Sequence, residues 1–393
     1  MSQGRATKLI IPPLTRQALM AVPLFLYPNF TKFLRRDGEM LKHIIDKIRE
    51  GERLSFDDGM ELFGSDDLIT IGMLADSVRR KKHPEPVVTY IIDRNINYTN
   101  VCVTECTFCA FYAKVGDENK SYTLTNEELG NKIQETIDLG GSRILLQGGL
   151  NPDLGLDYYE DTFRFIKSNY KIWLHALSPE EVVFISRQSG LKTRDVIKRL
   201  VEAGLDSIPG GGAEILVDSV RDRIAPKKCT SDEWLGVMNE AHRLGLRTTA
   251  TMMFGHVETY EDRLQHMMVV RELQDRTGGF TAFIPWTFQP RNTELAENHD
   301  NLREKSSAFD YLKTLAISRL MVDNIDSIQV SWVTQGLKIA QIALTFGADD
   351  FGSLMIEENV VSAAGTKHFS GFSLSHITRA IKSAGYEPVQ RYV

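Results

Sequence analysis

The sequence is poor in cysteine, in long apolar runs and in blocks of like charge. Four cysteines in 393 residues are too few for a disulfide framework, so we expect free thiols in a reducing compartment. The longest apolar stretch, at residues 18–27, contains a proline and falls short of the about 20 apolar residues that span a bilayer. Acidic and basic residues are interspersed, and the formal net charge is -6. The sequence therefore predicts a cytoplasmic globular protein that binds neither nucleic acid nor membrane.

Two kinds of pattern follow one another along the chain. Residues 34–83 are charged and have the apolar spacing of amphipathic helices. From residue 88 onward, eight short β-rich runs alternate with amphipathic helices, an order typical of a parallel sheet. The first run is at 88–97 and the last is at 343–351. Eight such units over roughly 250 residues fit a closed (β/α)8 barrel of the TIM type better than an open sheet. We expect an α/β protein with a helical N-terminal extension at 1–85, the barrel at 86–355 and a C-terminal helical segment at 356–393 that closes the barrel.

Polar and glycine-rich positions follow the predicted strands. In barrels of this kind the reactive groups lie at the carboxyl ends of the strands and in the loops after them. We therefore expect the residues in those places to share one rim of the barrel. In chain order they are Cys102, Cys106, Cys109, Gly148, Gly149, His175, Ser178, Gly210 to Glu214, His256 and Glu258.

Three of the four cysteines lie within eight positions, with the spacing C-x3-C-x2-C. A structural zinc site normally has four protein ligands, and the fourth cysteine, Cys229, lies far downstream and is more simply a bystander. Three thiolates on a short loop can instead hold three irons of a 4Fe-4S cluster, which leaves the fourth iron open to an exogenous ligand. The alternatives are a zinc loop completed by histidine or aspartate, and three buried structural cysteines.

The stretch "CVTECTFCAFY" resembles the cluster loop of radical S-adenosylmethionine (SAM) enzymes, which also follows the first barrel strand. The resemblance implies that Cys102, Cys106 and Cys109 hold a 4Fe-4S cluster whose fourth iron is chelated by the amino and carboxylate groups of SAM. An electron from the reduced cluster would then cleave the sulfonium into methionine and a 5'-deoxyadenosyl radical.

Further cofactor-binding residues follow from the same resemblance. Gly148 and Gly149 stand where the family has a Gly-Gly-Glu motif whose backbone approaches the methionine amino group, although Leu150 replaces the glutamate. Glu214 is expected to bind the ribose hydroxyls or the ammonium, and Arg221, about two helical turns on, the methionine carboxylate. The alternatives are that Glu214 is an ordinary acid of a first helical turn and that Arg221 is a surface charge. The full set of predicted cofactor-binding residues is Phe108, Tyr112, Gly148, Gly149, Ser178, Glu214 and Arg221.

Over roughly residues 40 to 385, stretches such as "WLHALSPEE" and "IEENVVSAAGT" resemble the radical SAM subgroup that acts on futalosine-derived and deazaflavin-precursor substrates. "TAFIPWTFQPRNT" is most similar to the members that cyclise dehypoxanthine futalosine in menaquinone biosynthesis. That likeness implies hydrogen abstraction at ribose C4', addition to the benzoate ring, and loss of an electron and a proton. It also implies a low-potential electron donor such as flavodoxin or ferredoxin. The alternative is a sister enzyme, an aminofutalosine synthase or a deazaflavin synthase subunit.

Loss of the ring proton in such a cyclisation invites a protein base. His175, His256 and Glu258 are the candidates, because a neutral imidazole or a carboxylate can accept this proton or bond a ribose hydroxyl. A lone histidine is more often a structural residue, which is the alternative for both histidines.

Two further groups of residues are candidates for binding the substrate. Phe283, Trp286 and Phe288 alternate along one predicted strand, so we expect their rings on the same side, stacked on the benzoate or adenine if they face inward. If the rings face outward, they would instead belong to the apolar core under the helices. A polar group after the last predicted strand would bind sugar hydroxyls or cap a helix. Its members are Glu357, Glu358 and Asn359.

Overall fold

The computed structural model describes residues 41–302, 304–366 and 373–392, and it begins with three helices. They are α1 (Lys42–Glu50), α2 (Phe56–Gly64) and α3 (Leu68–Lys82). Ser55 begins α2 in a reciprocal capping box with Asp58, and one apolar face of α1 is buried. The helical character predicted for residues 34–83 is confirmed from residue 42 onward, and the part before residue 41 lies outside the described residues.

A ring of parallel β-strands follows. Strands β2 to β8 form one seven-stranded sheet in chain order, and β1 lies between β9 and β10 in a three-stranded sheet. Backbone hydrogen bonds join the two sheets, from Val330 N to Asp350 O (2.9 Å) and from Ile356 N to Asp93 O (3.1 Å). The predicted α/β barrel is therefore confirmed. The strands are β1 (Val87–Ile91), β2 (Asp93–Ile96), β3 (Arg143–Leu146), β4 (Trp173–Ala176), β5 (Ser207–Ile208), β6 (Arg247–Phe254), β7 (Phe280–Thr287), β8 (Ser327–Ile328), β9 (Asp350–Ser353) and β10 (Glu387–Gln390).

The strands differ from the predicted runs at three places. The first run is split at Ile92 into β1, which pairs with β9, and β2, which pairs with β3. The run at 343–351 is mostly the end of a helix and a loop, because a short apolar run is equally typical of a strand and of a buried helix. Strand β10 has no counterpart among the predicted runs. It lies at the amino end of the barrel, where the Gln390 amide donates to Gly140 O (3.1 Å).

Helices connect the strands on the outside of the ring. Capping boxes begin the helices that start at Asn126, Pro179, Ser231 and Tyr260, which follow loops at the carboxyl rim, and so fix those loops at their far ends. No helix in the described ranges is both long enough and apolar enough to cross a bilayer. The helices are α4 (Asn126–Asp138), α5 (Leu156–Asn169), α6 (Pro179–Ser189), α7 (Thr193–Ala203), α8 (Asp218–Ile224), α9 (Ser231–Arg243), α10 (Tyr260–Thr277), α11 (Glu294–Glu297), α12 (Ala308–Met321), α13 (Trp332–Gln335), α14 (Leu337–Ala343), α15 (Val360–Ala363) and α16 (Leu374–Ser383).

Side chains alternate between the barrel interior and the core under the helices. Asn95, Leu145 and His175 line the interior on β2, β3 and β4, whereas Ile144 and Leu174 are buried on the opposite face. Burial of a side chain such as Leu174 stabilises the fold by about 1.5–3 kcal/mol. Because many inward positions are polar, the interior is a lined cavity and not a filled core.

Candidate active site

A cavity of about 1070 Å³ runs through the barrel interior. Cys102, Cys106 and Cys109 line it at the carboxyl rim, and Arg143 and Arg391 line it at the amino end, which we call the floor. Pockets for single small ligands usually measure about 300–1,000 Å³. The barrel therefore has room for a cofactor and a small substrate together.

Two ion pairs occupy the floor of the cavity. The Arg143 guanidinium lies 2.5 Å from the Asp93 carboxylate, and Arg391 Nε lies 2.7 Å from Asp350 Oδ2. Because each arginine has a carboxylate partner, the charges of these four groups cancel. These two arginines therefore offer little net charge to a ligand.

The cysteine loop is held by the protein's own contacts. Cys102 N donates to Ala113 O, and Thr107 N donates to Ile224 O, each over 3.0 Å. Glu105 adopts a φ of +49°, a left-handed conformation that costs a non-glycine residue about 1–3 kcal/mol. None of the four cysteines forms a disulfide. The loop therefore presents free thiols on a backbone whose shape is set by tertiary contacts.

Burial controls the protonation of two of these thiols. It raises the pKa of Cys106, although the nearby Lys228 ammonium lowers it. It also raises the pKa of Cys109, against the backbone N–H groups of Phe111 and Tyr112, which favour the thiolate. Both thiols are therefore protonated at neutral pH, and metal binding would release their protons.

Gly148 and Gly149 let the end of β3 approach the cysteine loop. A Cβ atom on Gly149 would lie 2.2 Å from Val101 O, and one on Gly148 would lie 2.6 Å from the Tyr98 ring. Neither contact is possible for a larger residue without displacement of the loop or the ring. The two glycines thus position the cysteine loop in addition to lining the cavity.

Glu181 is a buried carboxylate at the same rim. It accepts hydrogen bonds from Tyr98 Oη (2.7 Å), Gly148 N (3.0 Å), Ser178 N (2.6 Å) and Ser178 Oγ (2.7 Å). Burial raises the pKa of Glu181 in spite of these donors. Ser178, predicted to bind the cofactor, lines the cavity and is at the same time the N-cap of α6.

Glu214 and Phe108 line the cavity together with Lys228. Lys228 Nζ lies 2.5 Å from Glu214 Oε1 and 5.4 Å from the centroid of the Phe108 ring. Burial lowers the pKa of Lys228, but the pKa is raised on balance, chiefly by the negative charge of Glu214. Lys228 is therefore a buried ammonium beside the cysteine loop.

Arg221 has a different place from the one predicted. It is 3% exposed and lies outside the cavity lining. Its guanidinium donates to Cys229 O (2.6 and 3.0 Å), Ala213 O (2.7 Å) and Gly212 O (3.2 Å). Arg221 therefore ties the glycine-rich loop to the segment that carries Lys228.

His175 is the one predicted base that lines the cavity. Burial lowers its pKa well below the usual value, and Arg143 and Arg391 lower it further, so the imidazole is neutral at physiological pH. Its Nδ1 lies 2.7 Å from Ser207 Oγ.

His256 and Glu258, the other two predicted bases, lie outside the cavity lining. Glu258 accepts from Gly255 N (2.7 Å) and His256 N (2.9 Å), and His256 Nε2 lies 3.0 Å from Met253 O. Burial lowers the pKa of His256. The structure therefore places both residues in a hydrogen-bonded loop before α10, apart from His175.

The aromatic residues Phe283, Trp286 and Phe288, in β7 and directly after it, do not share one side, so that expectation is wrong. Phe283 and Trp286 are an odd number of residues apart, and a strand alternates with period two. Trp286 lines the cavity, whereas Phe283 is buried against His266, with ring centroids 5.9 Å apart. Phe288 is buried in a small apolar cluster that includes Cys106.

The three polar residues after β9, Glu357, Glu358 and Asn359, each have different partners. Glu358 lines the cavity and accepts hydrogen bonds from backbone N–H groups at the start of α15. Glu357 accepts from Lys132 Nζ (2.8 Å), and Asn359 Nδ2 donates to Asn97 Oδ1 (3.2 Å). Of these three residues, only Glu358 therefore lines the cavity.

Comparison with known proteins identifies the family. Residues 96–270 match the Radical SAM superfamily, and residues 277–392 match the CofH/MqnC C-terminal region. The chain is 47% identical over 349 residues to a cyclic dehypoxanthine futalosine synthase of Halalkalibacterium halodurans, which covers 88% of this chain and 92% of the relative. The chain belongs to the radical SAM superfamily.

Other similar proteins agree with this assignment. A cyclic dehypoxanthine futalosine synthase of Streptomyces coelicolor is 44% identical, covering 89% of this chain and 87% of the relative. An aminodeoxyfutalosine synthase of Thermus thermophilus is 39% identical, and the alignment covers 91% of this chain and 95% of the relative. A crystal structure of a methylornithine synthase superposes on the chain with a TM-score of 0.68 at 17% sequence identity. The superposition covers 88% of this chain and 97% of the other, and it shows a shared fold.

Radical SAM enzymes use a 4Fe-4S cluster and SAM, and the cysteine loop fits such a cluster. Among the described residues, no three His, Cys, Asp or Glu side chains are arranged to hold one metal ion. This disfavours a zinc loop, whereas a 4Fe-4S cluster takes each thiolate on a separate iron. Thr104, within the loop, is 3% exposed, lines the cavity and has a buried Oγ1 with no hydrogen-bond partner in the described structure. A cluster sulfur would supply that partner.

Four residues of this radical SAM site escaped prediction from the sequence. Glu181 had a signal, because "SPEE" is a Ser-x-x-Glu capping box. Lys228 precedes Cys229 in the sequence, and nothing in that local pattern indicates that it faces the cavity. Thr104 and Asn95 had no signal, because an unpartnered buried atom is defined only by its three-dimensional surroundings.

Proposed function

We propose that this radical SAM enzyme is a cyclic dehypoxanthine futalosine synthase, which closes a carbon–carbon bond within one small molecule. The observation that carries the proposal is the 47% identity to an enzyme of that name over 88% of the chain. This similarity spans the barrel with the cysteine loop as well as the C-terminal region. The cavity of about 1070 Å³ agrees with a substrate held beside SAM.

When bound, the reduced cluster and SAM supply a 5'-deoxyadenosyl radical. The substrate would lose a hydrogen atom at ribose C4' to that radical and join this carbon to its benzoate ring. It would then release one proton and one electron, and that electron balances the one used to cleave SAM. The chain's own part is to position and to exclude water. Cys102, Cys106 and Cys109 would hold the cluster. The apolar side chains of Ile284 and Trp286 would lie against the substrate, since both line the cavity.

The neutral form of His175 suits contact with the substrate. Its lowered pKa leaves it unprotonated at physiological pH, so it can accept a proton or bond a hydroxyl. We do not assign such a contact to His256 or Glu258, because both form hydrogen bonds within their own loop.

We further propose a cytoplasmic enzyme reduced by a low-potential protein such as flavodoxin or ferredoxin. Free thiols and an oxidisable cluster both require a reducing compartment. We also propose the division into an N-terminal extension at 1–85, a barrel at 86–355 and a C-terminal segment at 356–393. It is supported by Arg391, which reaches the cavity floor from the end of the chain.

The test is anaerobic turnover. Protein with a reconstituted cluster is mixed with dithionite, SAM and dehypoxanthine futalosine, and 5'-deoxyadenosine and substrate mass are followed. We expect 5'-deoxyadenosine that depends on substrate, and a product two hydrogens lighter. Cys106→Ala serves as the control that lacks one cluster ligand. SAM cleavage by the wild type without loss of this substrate would exclude the proposal.

A sister activity is the second candidate. The 39% identity to an aminodeoxyfutalosine synthase over 91% of the chain supports it. The same anaerobic assay with the substrates of that enzyme separates the two functions.

A further inference from the structure

We propose that Asn95 and His175 form a subsite at mid-depth of the barrel that binds hydroxyl groups of a neutral sugar. This inference rests on the proposed function and names the part of the substrate, its ribose, that this region of the cavity holds.

The first observation is an unsatisfied amide. Asn95 lines the cavity and is only 8% exposed, yet its buried Oδ1 has no hydrogen-bond partner in the described structure. A buried acceptor without a partner costs about 1–3 kcal/mol, and native proteins rarely leave one. A donor supplied by a ligand would remove this cost.

Other polar side chains of the cavity lining do have hydrogen-bond partners within the protein. The Asn97 amide donates to Gln147 O (3.2 Å) and accepts from Asn359 (3.2 Å). Thr251 Oγ1 donates to Gly210 O (2.6 Å). These groups are engaged within the protein, so Asn95 is the more available acceptor.

The second observation is that His175 faces the cavity at the same height. Asn95 is in register with Leu145 on β3, and Leu145 is in register with His175 on β4. Two strand spacings separate the Cα atoms by about 10 Å. Both side chains point inward, with the apolar Leu145 between them. A furanose ring fits such a gap between two polar groups.

The hydrogen bonds of His175 leave one ring nitrogen for a ligand. Ser207 Oγ lies 2.7 Å from His175 Nδ1 and accepts from Trp173 Nε1 (2.8 Å), which can only donate. The Ser207 proton can therefore go to Nδ1, which makes Nε2–H a donor. An acceptor on Asn95 and a donor on His175 suit a hydroxyl group, which both donates and accepts.

Charge argues against an anionic ligand at this height. The imidazole is neutral, and the charged groups beneath it, Arg143 and Arg391, are paired with Asp93 and Asp350. A carboxylate or phosphate would therefore gain little from these two arginines, whereas a sugar hydroxyl needs no cation.

The test compares binding of dehypoxanthine futalosine with its 2'-deoxy and 3'-deoxy analogues. Equilibrium dialysis uses the cluster-loaded enzyme without reductant, so no turnover occurs. We expect the wild type to prefer the full substrate to at least one analogue by roughly tenfold. In Asn95→Leu this preference should vanish. His175→Asn, which keeps an acceptor for Ser207 but withdraws Nε2, should also weaken it. Asn95→Asp, which keeps an acceptor oxygen, should retain it.

Thermal stability provides the second readout. Because Asn95→Leu removes an unpaired buried acceptor, its Tm should not fall below that of the wild type. If Asn95→Leu lowers the Tm but leaves the preference for the full substrate unchanged, Asn95 is a structural residue and the subsite is overturned. The subsite is also overturned if the wild type converts the substrate but does not discriminate between it and the analogues. A wild type that neither binds nor converts dehypoxanthine futalosine would instead overturn the proposed function, and the subsite with it.

Discussion

Lys228 Nζ lies 2.5 Å from Glu214 Oε1, and both side chains line the cavity that contains the three clustered cysteines. Glu214 is held there with a φ of +42°, a conformation that is costly for a non-glycine residue. Arg221 ties the backbone on both sides of this pair. Lys228 is thus a cation of the cavity lining beside the cysteine loop, and Arg221 holds the backbone segments that carry this ion pair.

Removing the charge of Lys228 should weaken SAM binding. Lys228→Met leaves the Glu214 carboxylate without its cation, and a charged hydrogen bond is worth about 1.5–3 kcal/mol, or roughly 10- to 100-fold in affinity. Lys228→Arg should lose less. Equilibrium dialysis of SAM on cluster-loaded protein measures this, with iron content as the control for cluster assembly. If Lys228→Met binds SAM with the affinity of the wild type, the predicted contribution of the Lys228 charge to SAM binding is contradicted.

A methyl group on Gly149 should displace the cysteine loop. Its Cβ would meet Val101 O at 2.2 Å, and overpacking of this kind costs about 1–3 kcal/mol. We expect Gly149→Ala to hold less iron and sulfide after reconstitution. Gly155→Ala is the matched control, because its Cβ would meet nothing within 4 Å. Equal iron content in the two variants would show that the close approach is not required.

Arg221 should matter for stability. Arg221→Met would leave the buried carbonyls of Ala213 and Cys229 without their donor, with an expected loss of about 2–4 kcal/mol in the free energy of unfolding. Arg223→Met is the control, since Arg223 lies two residues away and is exposed. Urea unfolding followed by circular dichroism distinguishes them. If Arg221→Met binds SAM poorly but unfolds like the wild type, the original prediction of a cofactor contact is correct.

His266 should make the fold sensitive to acid. Burial, and then Arg221, lower its pKa to about 3, against about 6.5 when unfolded. As pH falls below about 6.5, the unfolded chain binds a proton that the folded chain does not. Stability is therefore lost by up to about 1.4 kcal/mol per pH unit until pH approaches 3.

His266→Asn tests this prediction. The Asn oxygen can still accept from Leu216 N, which His266 Nδ1 now accepts at 2.9 Å, but the amide does not titrate. Between pH 6.5 and 5 the free energy of unfolding of the variant should fall less steeply than that of the wild type. Anaerobic urea unfolding at several pH values gives both slopes, and identical slopes would contradict the prediction. The comparison concerns slopes, because the smaller side chain also lowers absolute stability.

Sequence reasoning found the parts of the site that depend on short spacing. The three cysteines and the two glycines lie within a few residues of a strand end, so their common rim followed from the barrel topology. Trp286 illustrates the limit, because its place in the cavity depends on strand parity, and the same reasoning wrongly placed Phe283 on the same side as Trp286. His256 and Glu258 were equally plausible as bases until their hydrogen bonds within one loop were known.

The amino-acid sequence by itself determined the barrel, its rim, and a cluster loop of three cysteines. These features depend on alternating apolar patterns and on ligands that are close together in the chain, so they can be read from a few neighbouring residues at a time. Only the tertiary structure decided which charges and amides face the cavity. Lys228 replaces Arg221 beside Glu214, and Asn95 reaches the height of His175, because residues far apart in the chain meet through packing that no local pattern records.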